Sequence, residues 1–267
     1  MAAREQSLNM RQRPSGRRWQ HFWRYWVQPV LPLRMMARSV QGYAGYLSDW
    51  SRYQKLPGAT HLSFSESYPC LFDAVPETAF DTHYFYQSIW ATERILGNPA
   101  LVHVDIGSDV RFVGLLAVYK PVLFVDLRLF HAVYNRLSCV CGNLLALPFV
   151  SGSIRSLSCL HVVEHIGLGR YGDQLDPLGS RKACAELSRL LAPGGELYLS
   201  LPVGRERVQF NAHRIHSPQQ VLAAFPDLKL VGFSAVADDG TYQSDASLDA
   251  LAHAEYGCGL FHFRRDG

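Results

Sequence analysis

No apolar run in this 267-residue sequence reaches the roughly 20 residues that a membrane-spanning helix requires, so the chain is not expected to cross a bilayer. It also lacks an early short apolar core followed by a small-residue cleavage site, the pattern of a secretory signal. None of the six cysteines (Cys70, Cys139, Cys141, Cys159, Cys184, Cys258) forms a C-x-x-C pair. Cys139, Cys141 and Cys159 sit inside apolar, strand-like runs, and free cysteines pack as small hydrophobes. The expectation is therefore a reducing, cytoplasmic setting without structural zinc, with a disulfide between two of them as the lesser alternative. Charge is sparse, at 18% of residues, while 48% are hydrophobic, which argues against wholesale disorder and for a sizeable core. The absence of internal repeats and of long low-complexity tracts excludes a solenoid.

What is present is unevenly distributed. Residues 1–55 hold ten Lys/Arg against two acids, a net charge of +8, whereas the remainder carries 16 basic and 21 acidic residues, a net −5. Four of the five tryptophans also lie in the first 50 residues. Residues 1–17 read as disordered. In Arg18–Gln28, Trp19, Phe22, Trp23 and Trp26 fall at helical spacing, and Pro29 and Pro32 end the run. A second amphipathic helix fits 34–54, with Met36, Val40, Tyr43, Leu47 and Trp50 on one stripe. A basic aromatic segment of this kind fits an anionic membrane surface, with residues 17–28 as an interfacial helix peripheral to the membrane. The competing reading is an N-terminal lid packed on the rest of the chain, and an Arg-rich, acid-poor mitochondrial targeting peptide is a third. Nucleic acid is a weaker partner, because one basic patch without a recognised motif is poor evidence, and no specific nucleic-acid binding is expected.

Residues 56–82 read as loops and 83–96 as a helix stopped by Gly97-Asn98-Pro99. Beyond them strands alternate with helices. Strands are expected at 101–105, 121–126, 138–141, 155–163, in ELYLSLP after Pro193-Gly194-Gly195, near 228–236 and at 257–264. Helices are expected at 109–119, 129–136, 180–191 and 217–224. That alternation predicts an α/β, Rossmann-like doubly wound sheet over 83–267, preceded by a basic, aromatic-rich helical extension over 1–82.

Three strand ends carry the residues of a nucleoside site. The first turn, Val104-Asp105-Ile106-Gly107-Ser108, has a glycine that lets backbone approach a ligand. Asp126 ends the second strand 21 residues after Asp105, the spacing at which an acid meets ribose hydroxyls. Gly142-Asn143-Leu144 follows the third strand and offers an amide and an apolar face to an adenine. A literal G-x-G-x-x-G, Gly167 to Gly172, lacks the tight strand–turn–helix context of a dinucleotide fingerprint, so NAD is not expected. His161-Val162-Val163-Glu164-His165 matches H-x-x-E-H, but zinc ligation by that pattern needs a helix, and here it follows a strand and runs into glycines. No metal is expected.

The succession V-D-I-G-S, F-V-D-L-R, G-N-L-L-A-L-P-F, C-L-H-V-V-E-H and L-L-A-P-G-G-E-L-Y-L-S-L-P resembles class I methyltransferases dependent on S-adenosylmethionine (SAM) across roughly residues 83–264. The string V-E-H-I-G-L-G-R-Y-G-D (163–173), with F-N-A-H-R (210–214), is similar to domain-of-unknown-function family 268, a methyltransferase-like group. The resemblance implies a seven-stranded sheet with a reversed last strand and SAM as cofactor. It implies donor contacts from Asp105, Gly107, Ser108, Asp126, Asn143, Leu144 and His161. It implies that Glu164 and His165 stand beside the donor, with His165 as general base or, equally, both merely ordering the glycine-rich loop. Arg170, Asp173, Asn211 and His213 are candidate contacts to a small-molecule or glycan acceptor, the glycan resting on family analogy alone. One departure stands out. The superfamily's G-x-G-x-G turn is here Gly107, Ser108, Asp109, Val110, Arg111, so side chains replace two glycines. The alternative to an active enzyme is therefore a methyltransferase-like binding or scaffold module.

Overall fold

The computed structural model describes residues 23–27 and 33–267, divided into two compact units, 1–79 and 80–267. Residues 1–22 and 28, on which the readings of a disordered start and of most of the interfacial segment fall, lie outside the described residues. In the first unit Trp23–Val27 makes a π-helical turn and α1 spans Leu33–Gln54. The predicted stripe on α1 is solvent-facing: Met36, Val40, Tyr43 and Leu47 are exposed. Among the described residues no helix is long and apolar enough to cross a membrane.

The second unit opens with α2 (Thr82–Gly97), whose first turn is capped by the Asp81 carboxylate accepting from Tyr84 N at 3.1 Å. Then follow β1 (His103–Ile106), α3 (Val110–Tyr119), β2 (Val122–Asp126), β3 (Leu137–Cys141), β4 (Ile154–Leu160), α4 (Gly179–Leu190) and β5 (Leu191–Val203). A short hairpin, β6 (Arg207–Gln209) and β7 (His213–Ile215), precedes α5 (Pro218–Ala223), β8 (Leu228–Val236), β9 (Tyr242–Gln243) and β10 (Gly257–Arg265). Among the described residues eight strands form one sheet in the order β3-β2-β1-β4-β5-β10-β8-β9. The first five pair in parallel, and β10 runs antiparallel to both neighbours. This is the doubly wound sheet with a reversed last strand, and β9 adds a two-residue edge to the seven strands expected.

Both sheet faces are covered. Trp90, Ile95, Phe112 and Leu116 of α2 and α3 pack on one face with Phe124, Leu160 and Leu260. Ala183, Leu187 and Leu190 of α4 and Val221 of α5 pack on the other with Leu157, Leu197 and Phe261. Burial on both faces explains why the parallel strands read as continuous apolar runs.

Three expectations need correction. Residues 129–136 are not helical; Leu129 and Val133 are exposed, so no surface rewards the periodic pattern. β4 ends at Leu160 instead of Val163, because His161 turns the chain with φ of 54°. β1 begins at His103, two residues later than the strand expected at 101–105.

Candidate functional site

The parallel order puts the carboxyl ends of β1–β4 side by side, flanking the point where the strand order reverses, where open α/β sheets bind ligands. Gly107, after β1, has φ of 68°, a conformation that favours glycine, and a Cβ there would crowd Val162 Cγ1 at 3.2 Å. Asp105 does not line the adjoining cavity, contrary to its expected donor contact. It is fully buried and accepts from Ser108 N (3.1 Å), Ser108 Oγ (2.7 Å) and the Ser158 hydroxyl. Burial pushes its pKa up to about 6 despite these donors. Because Ser158 donates to Asp105, His103 Nε2 donates to Ser158 (2.8 Å) and its Nδ1 accepts from Ser156 (2.8 Å). The neutral imidazole this requires agrees with burial lowering the His103 pKa to about 3. Ser108 lines the cavity, yet its hydroxyl is used internally, donating to Asp105 and accepting from Leu160 N at 3.1 Å. Asp105 and Ser108 thus lock the first turn against β4.

Asp126, ending β2, faces the cavity with Oδ2 near Gly107, and Arg128 closes over it through N (2.7 Å) and Nε (3.2 Å), both donating to Oδ1. Arg128 also lies 4.8 Å above the Tyr171 ring. Gly142, after β3, admits no side chain, since a Cβ would stand 2.7 Å from Val125 Cγ1. Asn143 lines the cavity, but its Oδ1 accepts from Leu145 N (2.9 Å), so its side-chain NH2 is the group left for a ligand. Leu144 is buried in the same wall. The cavity these strand ends enclose measures about 350 Å³. Of the two side chains that replace glycines, Asp109 lines this cavity and Arg111 does not. The Asp109 carboxylate caps α3, accepting from Arg111 N (2.8 Å) and pairing with Arg111 Nη2 (2.9 Å).

Past β4, the H-x-x-E-H segment is a compact turn. Glu164 is fully buried, with Oε1 2.8 Å from His161 Nδ1 and 3.7 Å from His165 Nε2, while Oε2 is buried without a partner. Burial disfavours its charge, but the adjacent His161 offsets that and holds the carboxyl below its usual range. His165 Nδ1 donates to Ala212 O at 2.6 Å, which leaves the proton off Nε2 in the neutral ring, and burial lowers its pKa.

The loop from Ile166 to Gly179 is closed on itself. A Cβ at Gly167 would come 2.1 Å from Asp176 O, and one at Gly179 would come 2.5 Å from Ile166 O. The buried Arg214, from β7, bonds Ile166 O (2.6 Å), Ser180 Oγ (3.1 Å) and Asp176 O (3.1 Å). Asp173 accepts from Gly167 N (2.6 Å), so its carboxylate braces the loop even though it lines the smaller cavity. The G-x-G-x-x-G string therefore serves loop packing.

A second cavity, of about 880 Å³, adjoins the first and shares Tyr84, His161 and His165 with it. Arg170 and His213 line this second cavity; Asn211 lines neither and is exposed. Arg170 donates to Ala212 O (3.1 Å) and stacks 5.1 Å from the Tyr171 ring. His213 Nε2 lies 2.6 Å from Gln209 Oε1, and burial lowers its pKa to about 4. His83, Tyr84, Tyr256 and Cys258 were not anticipated. They come from the start of α2 and from around the start of β10, segments that only the sheet order brings to the end of β4.

Residues 151–251 match the family model "Caenorhabditis protein of unknown function, DUF268". No curated protein matches the chain in sequence. Among solved structures, the [4+2]-cyclase SpnF is 13% identical, with a TM-score of 0.52 over 68% of this chain and 80% of that one. The N-methyltransferase NodS from Bradyrhizobium japonicum WM9, solved with S-adenosyl-L-homocysteine (SAH), is 16% identical, with a TM-score of 0.49 over 74% of this chain and 92% of that one. At such identities the likeness is one of fold, and a cyclase on the same scaffold shows that fold does not dictate reaction. Residues 151–251 are thus similar to the DUF268 family, and the chain shares its α/β fold with the cyclase SpnF.

Proposed function

We propose that the smaller cavity binds SAM and that its methyl group passes to an acceptor in the larger one. The observation that carries this reading is the shared wall: two cavities of donor and acceptor size meet at Tyr84, His161 and His165. The residues present fit the donor. Gly107 and Gly142 leave room that a Cβ would fill, Asp126 offers a carboxylate to ribose hydroxyls, and Asn143 and Leu144 offer an amide and an apolar surface to adenine. The amino-acid end would meet the Asp109–Arg111 pair in place of bare glycine backbone. SAM supplies a sulfonium-activated methyl group, so the protein needs only to align the acceptor and take its proton. His165 is placed for the second task, its Nδ1 anchored on Ala212 O and Glu164 available to balance an imidazolium. The larger cavity combines the aromatic faces of Tyr84 and Tyr256 with His213, Arg170 and Asp238, a lining suited to a polyhydroxylated or glycan-like acceptor.

Transfer of labelled methyl from SAM to a panel of small-molecule and glycan acceptors tests this. His165→Ala is expected to lower turnover about a hundredfold while SAH affinity stays within twofold. A parallel fall in both would mean that His165 serves donor binding instead of proton transfer. SAH binding without transfer to any acceptor would favour the second reading, a non-catalytic module, to which the Asp109 and Arg111 substitutions already point.

For the first unit, we propose peripheral contact of residues 17–28 with an anionic membrane, supported by the net +8 charge of residues 1–55 and the exposed apolar stripe of α1. Full-length protein is expected to sediment with anionic vesicles at low salt, and a chain starting at Leu56 to stay in solution. Equal behaviour of the two refutes the contact.

A further inference from the structure

His83, His161 and Cys258 meet at the shared wall of the two cavities, all three buried, with one potential ligand atom from each lying within 4.8 Å of the others. The Cys258 Sγ to His161 Nε2 distance is 3.4 Å. Two ligands of a tetrahedral zinc, at about 2.3 Å for sulfur and 2.0–2.1 Å for nitrogen, stand about 3.6 Å apart, so this pair already spans one edge of a coordination tetrahedron. The His83 and His161 rings are stacked, with centroids 5.5 Å apart and planes 27° apart, so His83 must turn its ring to aim a nitrogen lone pair at the ion.

The surroundings match a metal ligand's usual support. His161 Nδ1 donates to the fully buried Glu164 at 2.8 Å, which aims its Nε2 at Cys258. A carboxylate holding the far nitrogen of a histidine is the common outer support of a metal-bound imidazole. The charges also close. A dication, one thiolate and two neutral imidazoles sum to +1, and Glu164 neutralises it; its buried, unpartnered Oε2 signals a carboxylate in need of positive charge nearby. His165 is outside the set: its Nε2 stands beside Glu164 Oε1, at 3.7 Å, and is not grouped with the three ligand atoms.

We propose that His83, His161 and Cys258 form a binding site for a divalent transition metal ion of the zinc class. Binding releases the Cys258 thiol proton to solvent as the sulfur becomes a thiolate ligand. Both histidines line the larger cavity, so the fourth position is left to water or to a hydroxyl oxygen of that cavity's occupant. The site stands independently of whether SAM binds.

The test is titration of Co²⁺ into reduced, chelator-stripped full-length protein. One equivalent is expected to bind, with a thiolate-to-cobalt charge-transfer band and the strong visible bands of tetrahedral Co²⁺. Cys258→Ser should abolish the charge-transfer band, and His83→Gln should weaken binding at least about tenfold. No uptake by the wild type, or an undiminished band in Cys258→Ser, overturns the site. Should Cys258→Ser fail to fold by circular dichroism, His83→Gln decides: weakened binding supports the site, and unchanged affinity overturns it.

Discussion

Gly167→Ala is expected to destabilise the second unit by about 3–5 kcal/mol, lowering its thermal midpoint by roughly 10 °C or more. Two separate costs combine. The φ of 82° is a left-handed conformation that costs a non-glycine residue about 1 kcal/mol or more, and the new Cβ would stand 2.1 Å from Asp176 O, a backbone atom that cannot swing away. Asp176 O is in turn held by Arg214, whose other bonds reach Ile166 O and Ser180 Oγ, so relief at one point strains the rest of the loop. Gly172 supplies the control. Its φ is 85°, and nothing lies within 4 Å of where its Cβ would be, so Gly172→Ala should cost only the backbone preference, about 1–2 kcal/mol. Thermal denaturation of the two variants separates collision from conformation. Equal midpoints would mean that the loop does not pack as described.

Asp126→Ala is expected to weaken SAM and SAH about a hundredfold. The carboxylate offers two hydrogen bonds to ribose hydroxyls, and bonds to a charged group contribute roughly 1.5–3 kcal/mol each. Asp126 is partly exposed and its internal partner is the exposed Arg128, so its removal leaves no buried charge stranded and the fold should survive. Arg128→Ala makes the complementary variant. It removes the side-chain donors Nε and Nη2, leaves the bond from Arg128 N in place, and should change affinity far less.

How far the sequence revealed this arrangement depends on whether a signal is local. β1, β2, β4 and β5 are buried on both faces and so announce themselves as apolar runs between turn residues, and the strand-end positions of Gly107, Asp126 and Gly142-Asn143 follow from them. Residues 129–136 carried a helical pattern with nothing to pack on, and pattern without burial does not make a helix. Asp105 looked like a ligand because an acid at a strand end commonly faces the cleft. That its partners would be Ser108 and Ser158 was invisible, since the second lies 53 residues away on a neighbouring strand. The same limit hid His83 and Cys258. His161 was visible in H-x-x-E-H, but its neighbours arrive from α2 and β10, and no local spacing encodes that meeting. Arg214, the last residue of the F-N-A-H-R string, holds the loop because the β6–β7 hairpin turns it inward.

Donor binding at the ends of β1, β2 and β3, despite the missing glycines, is measured by calorimetric titration of SAH into the full-length protein alongside Asp126→Ala. Saturable binding to one site per chain is expected in the wild type, and affinity about a hundredfold lower in a folded Asp126→Ala. No binding by the folded wild type, or equal affinity in the two proteins, would contradict donor binding there.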